Sequence, residues 1–291
     1  MWEAVQFLYP SFIACILILW IMGYLGIHVL EREIVFIDIA LAQIAATGST
    51  LAFILFGQHS QEGYGFFARL FAIGFTLLAA VFFAYVAKRV ARISQETVIG
   101  VSYAIAAAAT LFLLAIAAGG DVHMEEMFTG SILWVQWHDI VQIAVVYVAA
   151  GFFYYIFHDR FLKVSVDYKG AVKSGINIMW WDFLFYASMG IVITYTIEIA
   201  GVLLTFSFLI IPATFSAIFA QSFRKRLFIA WLTGGIVSIG GLALSYRFDF
   251  SCGPSIVSLL GIILIFAAFI AMLKPRKNKK HHFIEGSKIS S

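Results

Sequence analysis

The sequence predicts an all-α protein, a polytopic bundle of about nine helices that spans a lipid bilayer. Three observations carry this. Of the 291 residues, 62% are hydrophobic and only 12% charged, and the mean hydropathy is +0.96, a composition that no soluble domain of this size sustains. Apolar runs long enough to cross the membrane recur along the chain; about 20 residues at a rise of about 1.5 Å cover a roughly 30 Å hydrocarbon core. Lysine and arginine gather in every second loop, as they do when alternate loops face the cytoplasm.

The runs fall at 8–30, 34–57, 65–87, 98–118, 140–157, 179–198, 201–220, 227–246 and 254–273. The first follows Met-Trp-Glu-Ala, which has no basic n-region, and it is too long for a signal peptide, so the helix is expected to be retained. Lys88, Arg89 and Arg92 follow the third run. Arg160, Lys163, Lys169 and Lys173 follow the fifth; Arg224, Lys225 and Arg226 follow the seventh; a basic stretch from Lys274 to Lys280 follows the ninth. The other loops are poor in both residues, and the one after the fourth run carries Asp121, Glu125, Glu126 and Asp139. The positive-inside rule therefore puts the N-terminus outside and the C-terminus in the cytoplasm. Residues 1–273 form the transmembrane domain and 274–291 a basic cytoplasmic tail. Trp2, Trp134, Trp137, Trp180 and Trp181 lie near segment ends, where tryptophan anchors a helix at the interface. The net charge of +3 gives no basis for a nucleic-acid partner. Cys15 and Cys252 are too few for a disulfide framework, and free thiols are expected.

The sixth and seventh runs meet at Glu198-Ile-Ala-Gly201 with almost no loop, which predicts a tight helical hairpin or a re-entrant piece. Pro212, inside the seventh run, frees a backbone carbonyl and favours a kink. Breaks of this kind persist in a membrane only where neighbours or cavity water satisfy the freed groups.

The second run, IVFIDIALAQIAATGSTLAFILFG, carries a carboxylate and an amide among small residues. Asp38, Ala42, Ala45 and Ser49 recur at helical spacing and form one narrow, partly polar face. A carboxylate in a spanning helix costs something like 2.5–3.5 kcal/mol on insertion scales and turns toward protein or water. Two readings fit: Asp38 lines a substrate path, or it pairs with Arg32 near the helix end while the alanines let helices approach.

No P-loop, HExxH, CxxC or GxSxG motif is present, so the chain has neither a P-loop ATPase nor a familiar catalytic constellation, and no covalently bound cofactor is expected. His123, Glu125, Glu126, His138 and Asp139 could capture a divalent cation, or could simply be acidic-loop residues. Asp182, near a helix start, opposes the positive dipole end. Glu198 fits both a pathway entrance and a solvated turn. His281 and His282 read as solvated tail residues. The loop 166–177, VDYKGAVKSGIN, reads as a short amphipathic helix broken by a glycine, either a partner's grip or a solvated connector.

Together these stretches resemble the permease subunits of the zinc, manganese and iron family of ABC importers. GVLLTFSFLIIPATFSAIFA at 201–220 is similar to that family's Gly-Val-Leu-Leu helix ending in Ile-Pro-Ala, and SYRFDFSCGPSIV at 245–257 to its Ser-Tyr, Asp, Gly, Ile-Val segment. GSILWVQWHDI at 130–140 resembles its Gly-Ser-Ile-Leu-x-Val-x-Trp-x-Asp run. Asp167, Ala171 and Gly175 match its coupling region. In the second helix the family's Gly-Asp-Ala-Leu-Ser-His-Ala becomes Asp38-Ile39-Ala40-Leu41-Ala42-Gln43-Ile44. The family's Asp and His positions are thus Ile39 and Gln43, and the carboxylate sits one residue earlier, as in a variant subgroup. Asp38 and Gln43, five apart, share a helix face poorly.

The resemblance implies a plasma-membrane permease with a divalent metal ion as substrate. Its partners would be a cytoplasmic ABC ATPase, an extracytoplasmic solute-binding protein and a second permease chain. It implies a pathway along Asp38, Gln43, Ser49 and Glu198, with Asp38 as a metal ligand, ATPase coupling through Asp167, Ala171 and Gly175, and helix adjustment at Pro212. Glutamine in place of histidine shifts the preference slightly from zinc toward manganese or iron. Two rivals stand beside this reading: an ion-gradient-driven secondary transporter using Asp38 and Glu198, and a non-transporting membrane scaffold.

Overall fold

A computed structural model describes residues 2–56, 61–86, 93–116, 130 and 132–273, with side chains described outside 2–7, 61–64 and 86. The described residues form helices and connecting turns, with no strand. In chain order these are α1 (Trp2–Glu31), α2 (Ile37–Phe56), α3 (Gln61–Val81), α4 (Gln95–Ile116), α5 (Trp137–Ile156), α6 (His158–Val166), α7 (Tyr168–Lys173), α8 (Ile178–Phe219), α9 (Phe223–Phe248) and α10 (Cys252–Leu273). α3 runs into a π-helical turn at Phe82–Val86, and a 3-10 turn at Ile132–Trp134 precedes α5.

Eight of these helices are long and apolar enough to cross a membrane. One of the eight, α8, has 42 residues, but Gly201 breaks it with φ 70° and ψ 167°. A side chain would be strained there. Asp182 of α8 bonds Arg32, just past α1, while Leu209 and Ala213 of α8 press on Gly26 of α1. A straight helix would hold residues 182 and 209 about 40 Å apart, whereas Gly26 and Arg32 are only about 9 Å apart along their helix. α8 therefore folds back at Gly201, and the bundle has nine crossings. The hairpin expected at 198–201 is present. Pro212 is buried within the returning half, where the backbone keeps helical dihedrals; the break is at the glycine.

α8 is the centre of the bundle, packing against α1, α2, α3, α5, α6, α9 and α10. Small residues set the closest approaches. A methyl at Gly26 would overlap the Leu209 carbonyl, and one at Gly48 of α2 would meet the Phe71 carbonyl of α3 at 2.7 Å. Small residues of this kind let helix backbones touch where the lipid gives no hydrophobic drive for helices to associate. α4 and α10 lie at the rim and turn Ile105, Phe112, Ile265 and Phe269 outward, apolar surface suited to acyl chains. Cys15 and Cys252 are free and buried.

Successive crossings place Arg32, Arg160, Arg224 and Arg226 at one end, called here the basic end, and Arg69 and Glu198 at the other. Lys88, Arg89, Arg92, Asp121, His123, Glu125, Glu126 and the tail from Lys274 onward, including His281 and His282, lie outside the described residues.

Candidate functional site in the second helix

α2 begins one turn from the basic end and packs against α3, α4 and α8. Its enclosure on three sides explains why Asp38 and Gln43, though about 140° apart around the helix, are both buried, with 1% and 3% of their surface exposed. Asp38 Oδ1 has no hydrogen-bond partner among the described residues. The expected Arg32 partner is engaged elsewhere: Arg32 Nη1 donates to Asp182 Oδ1 at 2.6 Å. This also corrects the local reading of Asp182. Asn177 caps α8, its side chain accepting from Trp180 N, and Asp182 serves a long-range ion pair.

The structure adds a second polar face. Gln43, Thr47 and Thr50 recur at i, i+4, i+7 and are all buried. Thr47 Oγ1 lies 2.8 Å from the Gln43 carbonyl and 2.8 Å from Thr110 Oγ1 of α4, while Thr110 donates to the Ala106 carbonyl at 3.0 Å. Thr50 Oγ1 is buried without a partner among the described residues. Ser49 is only half-buried, and Ala42 and Ala45 on its face are buried. The spacing of Gln43, Thr47 and Thr50 is visible in the sequence, but a threonine that can bond its own helix backbone, as Thr47 does to Gln43, gives no sign of a polar seam. The helix thus presents a carboxylate, an amide and two hydroxyls to its protein neighbours rather than to lipid. That arrangement is a costly one; polar groups so placed bond neighbouring helices, as Thr47 does with Thr110, or face a path for polar solutes. Among the described residues, no three His, Cys, Asp or Glu side chains come together in a way that could hold a metal ion.

Glu198 sits at the opposite end. Arg69 Nε approaches its two carboxylate oxygens at 3.1 and 2.9 Å. The pair borders a cavity of about 210 Å³ lined also by Asp139, Gln142 and Tyr195. Asp139 is taken up in a capping box, accepting from Gln136 N at 3.0 Å, and lies 3.2 Å from His138 Nδ1.

Asp167, Ala171 and Gly175 each define α7. Asp167 is its N-cap, accepting from Gly170 N at 2.9 Å. Ala171 is fully buried. Gly175, at φ 73°, ends the helix, with Gly175 N donating to Val172 O and Ile176 N to Ala171 O at 3.0 and 3.2 Å, the paired bonds of a Schellman stop. The short helix expected in this loop is α7, reached from α6 through the single residue Asp167; the glycine stops the helix rather than interrupting it.

The described residues make nine membrane crossings, the architecture of a multi-pass integral membrane protein. The sequence profile of the ABC 3 transport family matches residues 4–271, and the chain belongs to that family. It is 28% identical over 271 residues to the manganese import system permease protein ScaB of Streptococcus gordonii, covering 91% of this chain and 92% of that one. It is 25% identical over 253 residues to the high-affinity zinc uptake system membrane protein ZnuB of Buchnera aphidicola, covering 87% and 93%. Its fold matches a chain of PsaBC from Streptococcus pneumoniae, solved in complex with Fab, with a TM-score of 0.77 and 25% identity over 92% of this chain and 94% of that one. The protein is thus a multi-pass component of the plasma membrane.

Proposed function

We propose that this chain is the permease subunit of an ATP-binding-cassette importer for divalent transition-metal ions: manganese, zinc or iron. The observation that carries the reading is the buried carboxylate-and-amide face of α2, in a chain whose family match runs from residue 4 to 271. The names of its relatives, a manganese import permease and a zinc uptake protein, support the substrate class. The oxygen donors Asp38, Gln43, Thr47 and Thr50 suit hard or borderline cations and tilt the reading toward manganese or iron.

The chain has no nucleotide-binding motif, so hydrolysis belongs to a cytoplasmic ABC ATPase that grips α7 at the basic end. In this reading the basic end is cytoplasmic, as the lysine and arginine distribution implies. An extracytoplasmic solute-binding protein delivers the ion to the Glu198 end. A second permease chain completes a ligand set that Asp38 alone does not supply.

The test is a pull-down from native membranes through a tag on the C-terminal tail, followed by ATPase assays with Mn²⁺, Zn²⁺ and Fe²⁺. A stoichiometric P-loop ATPase stimulated by one cation is the expected result. A permease that accumulates ions with no ATPase bound would return the gradient-driven reading, and one that accumulates none would return the scaffold.

A further inference from the structure

The buried contacts at the basic end are richer than a structural seam requires, and they join the connector α6–α7 to the spans through few atoms. α6 docks by Phe161, which is fully buried among Phe153, Tyr154, Trp181 and Phe185. Its buried polar residue is Ser165, beside a second polar contact from His158 Nδ1 to Tyr24 Oη of α1 at 3.1 Å. Ser165 Oγ accepts from Arg32 Nε at 2.8 Å and lies 2.9 Å from His28 Nδ1, both contributed by the end of α1. The same guanidinium donates to Asp182 of α8 at 2.6 Å and stands 4.1 Å from the Phe185 ring. One serine hydroxyl and one guanidinium therefore link three elements.

The two sides of this junction are stiff. α6 and α7 meet at Asp167, which caps both, and Lys163 Nζ donates to Ser174 Oγ at 2.7 Å across the joint. A displacement of α7 is passed to Ser165 with little slack. On the far side, the turn from Arg32 to α2 is held by Glu33 N to Leu30 O, Ile34 N to Val29 O and Ile37 N to Ile34 O, at 3.2, 3.2 and 3.1 Å. Phe36 N donates to Glu96 Oε1 of α4 at 3.2 Å. Asp38 follows within one helical turn.

We propose that Ser165, His28, Arg32 and Asp182 form a relay that transmits movement of the connector α6–α7 to the N-terminal end of α2, where Asp38 lies. They are positioning residues, acting through α2 rather than on the transported ion. The inference rests on the permease reading above, because a coupling relay presupposes a motor that moves α7. Two features favour a moving joint over a fixed one. A buried ion pair holds a fold no better than a well-packed apolar contact of the same size. Moreover, His28 Nε2 is buried with no hydrogen-bond partner among the described residues. A joint with a spare buried polar atom has a bond to gain in a second arrangement, the property of a two-state element.

The test uses the permease with its co-purified ATPase in proteoliposomes, offered radiolabelled Mn²⁺, Zn²⁺ and Fe²⁺ separately. Ions moved per ATP hydrolysed are compared between wild type, Ser165→Ala and the double variant Arg32→Met with Asp182→Leu. The double variant replaces the pair with apolar groups, so the fold is retained. The relay predicts continued ATP hydrolysis with a roughly tenfold fall in ions per ATP, within the usual range of coupling between sites. Folded variants of both kinds with the wild-type ratio would overturn the relay while leaving the permease reading intact. A wild-type complex that moves none of the three ions in response to ATP would instead overturn the permease reading, and the relay with it.

Discussion

The two ends of the bundle each hold an arginine–carboxylate pair, and the pairs live in different surroundings. At the basic end the Arg32 and Asp182 side chains are 7% and 5% exposed, and a second pair, Arg226 with Glu31, lies nearby on α9 and α1. At the other end Arg69 and Glu198 are 34% and 38% exposed and face a polar cavity. Among the described residues the Arg32–Asp182 pair is thus sealed and the Arg69–Glu198 pair partly open to water. An exposed pair breaks readily because water replaces whatever is lost, whereas a buried pair moves with the elements that carry it. The open end suits the arrival of a hydrated cation and the closed end the transmission of force.

Single substitutions can break this contrast. The largest expected effect is Arg32→Ala, which removes the cationic partner of the buried Asp182 carboxylate and costs about 3–5 kcal/mol, read as a large loss of thermal stability in detergent. Next comes Gly26→Val. Its side chain would overlap the Leu209 carbonyl, so α1 and α8 must separate, at about 1–3 kcal/mol and with a visibly earlier melt. Thr47→Val removes the hydroxyl between α2 and α4 and is expected to cost about 1 kcal/mol, measurable as a small shift in the same melt. The smallest is Arg69→Ala, at under about 1 kcal/mol; its stability should also be insensitive to added salt beyond that loss. If Arg69→Ala destabilised the protein as much as Arg32→Ala, the contrast between a sealed and an open end would be wrong.

The spans and their punctuation were legible in the sequence because they depend on local properties. Apolar runs announce helices, the loopless junction at 198–201 marks the reversal, and a short helix in 166–177 is visible, although the Asp167 cap and the preceding α6 are not. The pairings were not legible. Arg32 and Asp182 are 150 positions apart, and His28 and Ser165 are 137 apart, and no local periodicity records which distant helix a side chain will face. Local proximity along the chain pairs Arg32 with Asp38, and tertiary packing overrides this by turning Arg32 toward α8. The threonines illustrate a different loss. Thr47 and Thr50 look unremarkable in an apolar helix, since each can donate to its own helix backbone, and only the approach of Thr110 on α4 shows that this face is a polar seam. Asp38 and Gln43 were singled out correctly as polar groups in a membrane helix; their common burial needed the three-sided packing of α2 to become visible.

The most direct test of the account is uptake of Mn²⁺, Zn²⁺ and Fe²⁺ by proteoliposomes holding the permease with its ATPase, compared between wild type and Asp38→Asn. The account predicts ATP-dependent accumulation of one of these ions by wild type. In Asp38→Asn, which keeps the shape and replaces the carboxylate by an amide, uptake should fall at least roughly tenfold, the scale on which even outer-shell groups alter metal affinity, with ATPase binding retained. Equal uptake by the two proteins would contradict the assignment of the α2 face as the ion's path.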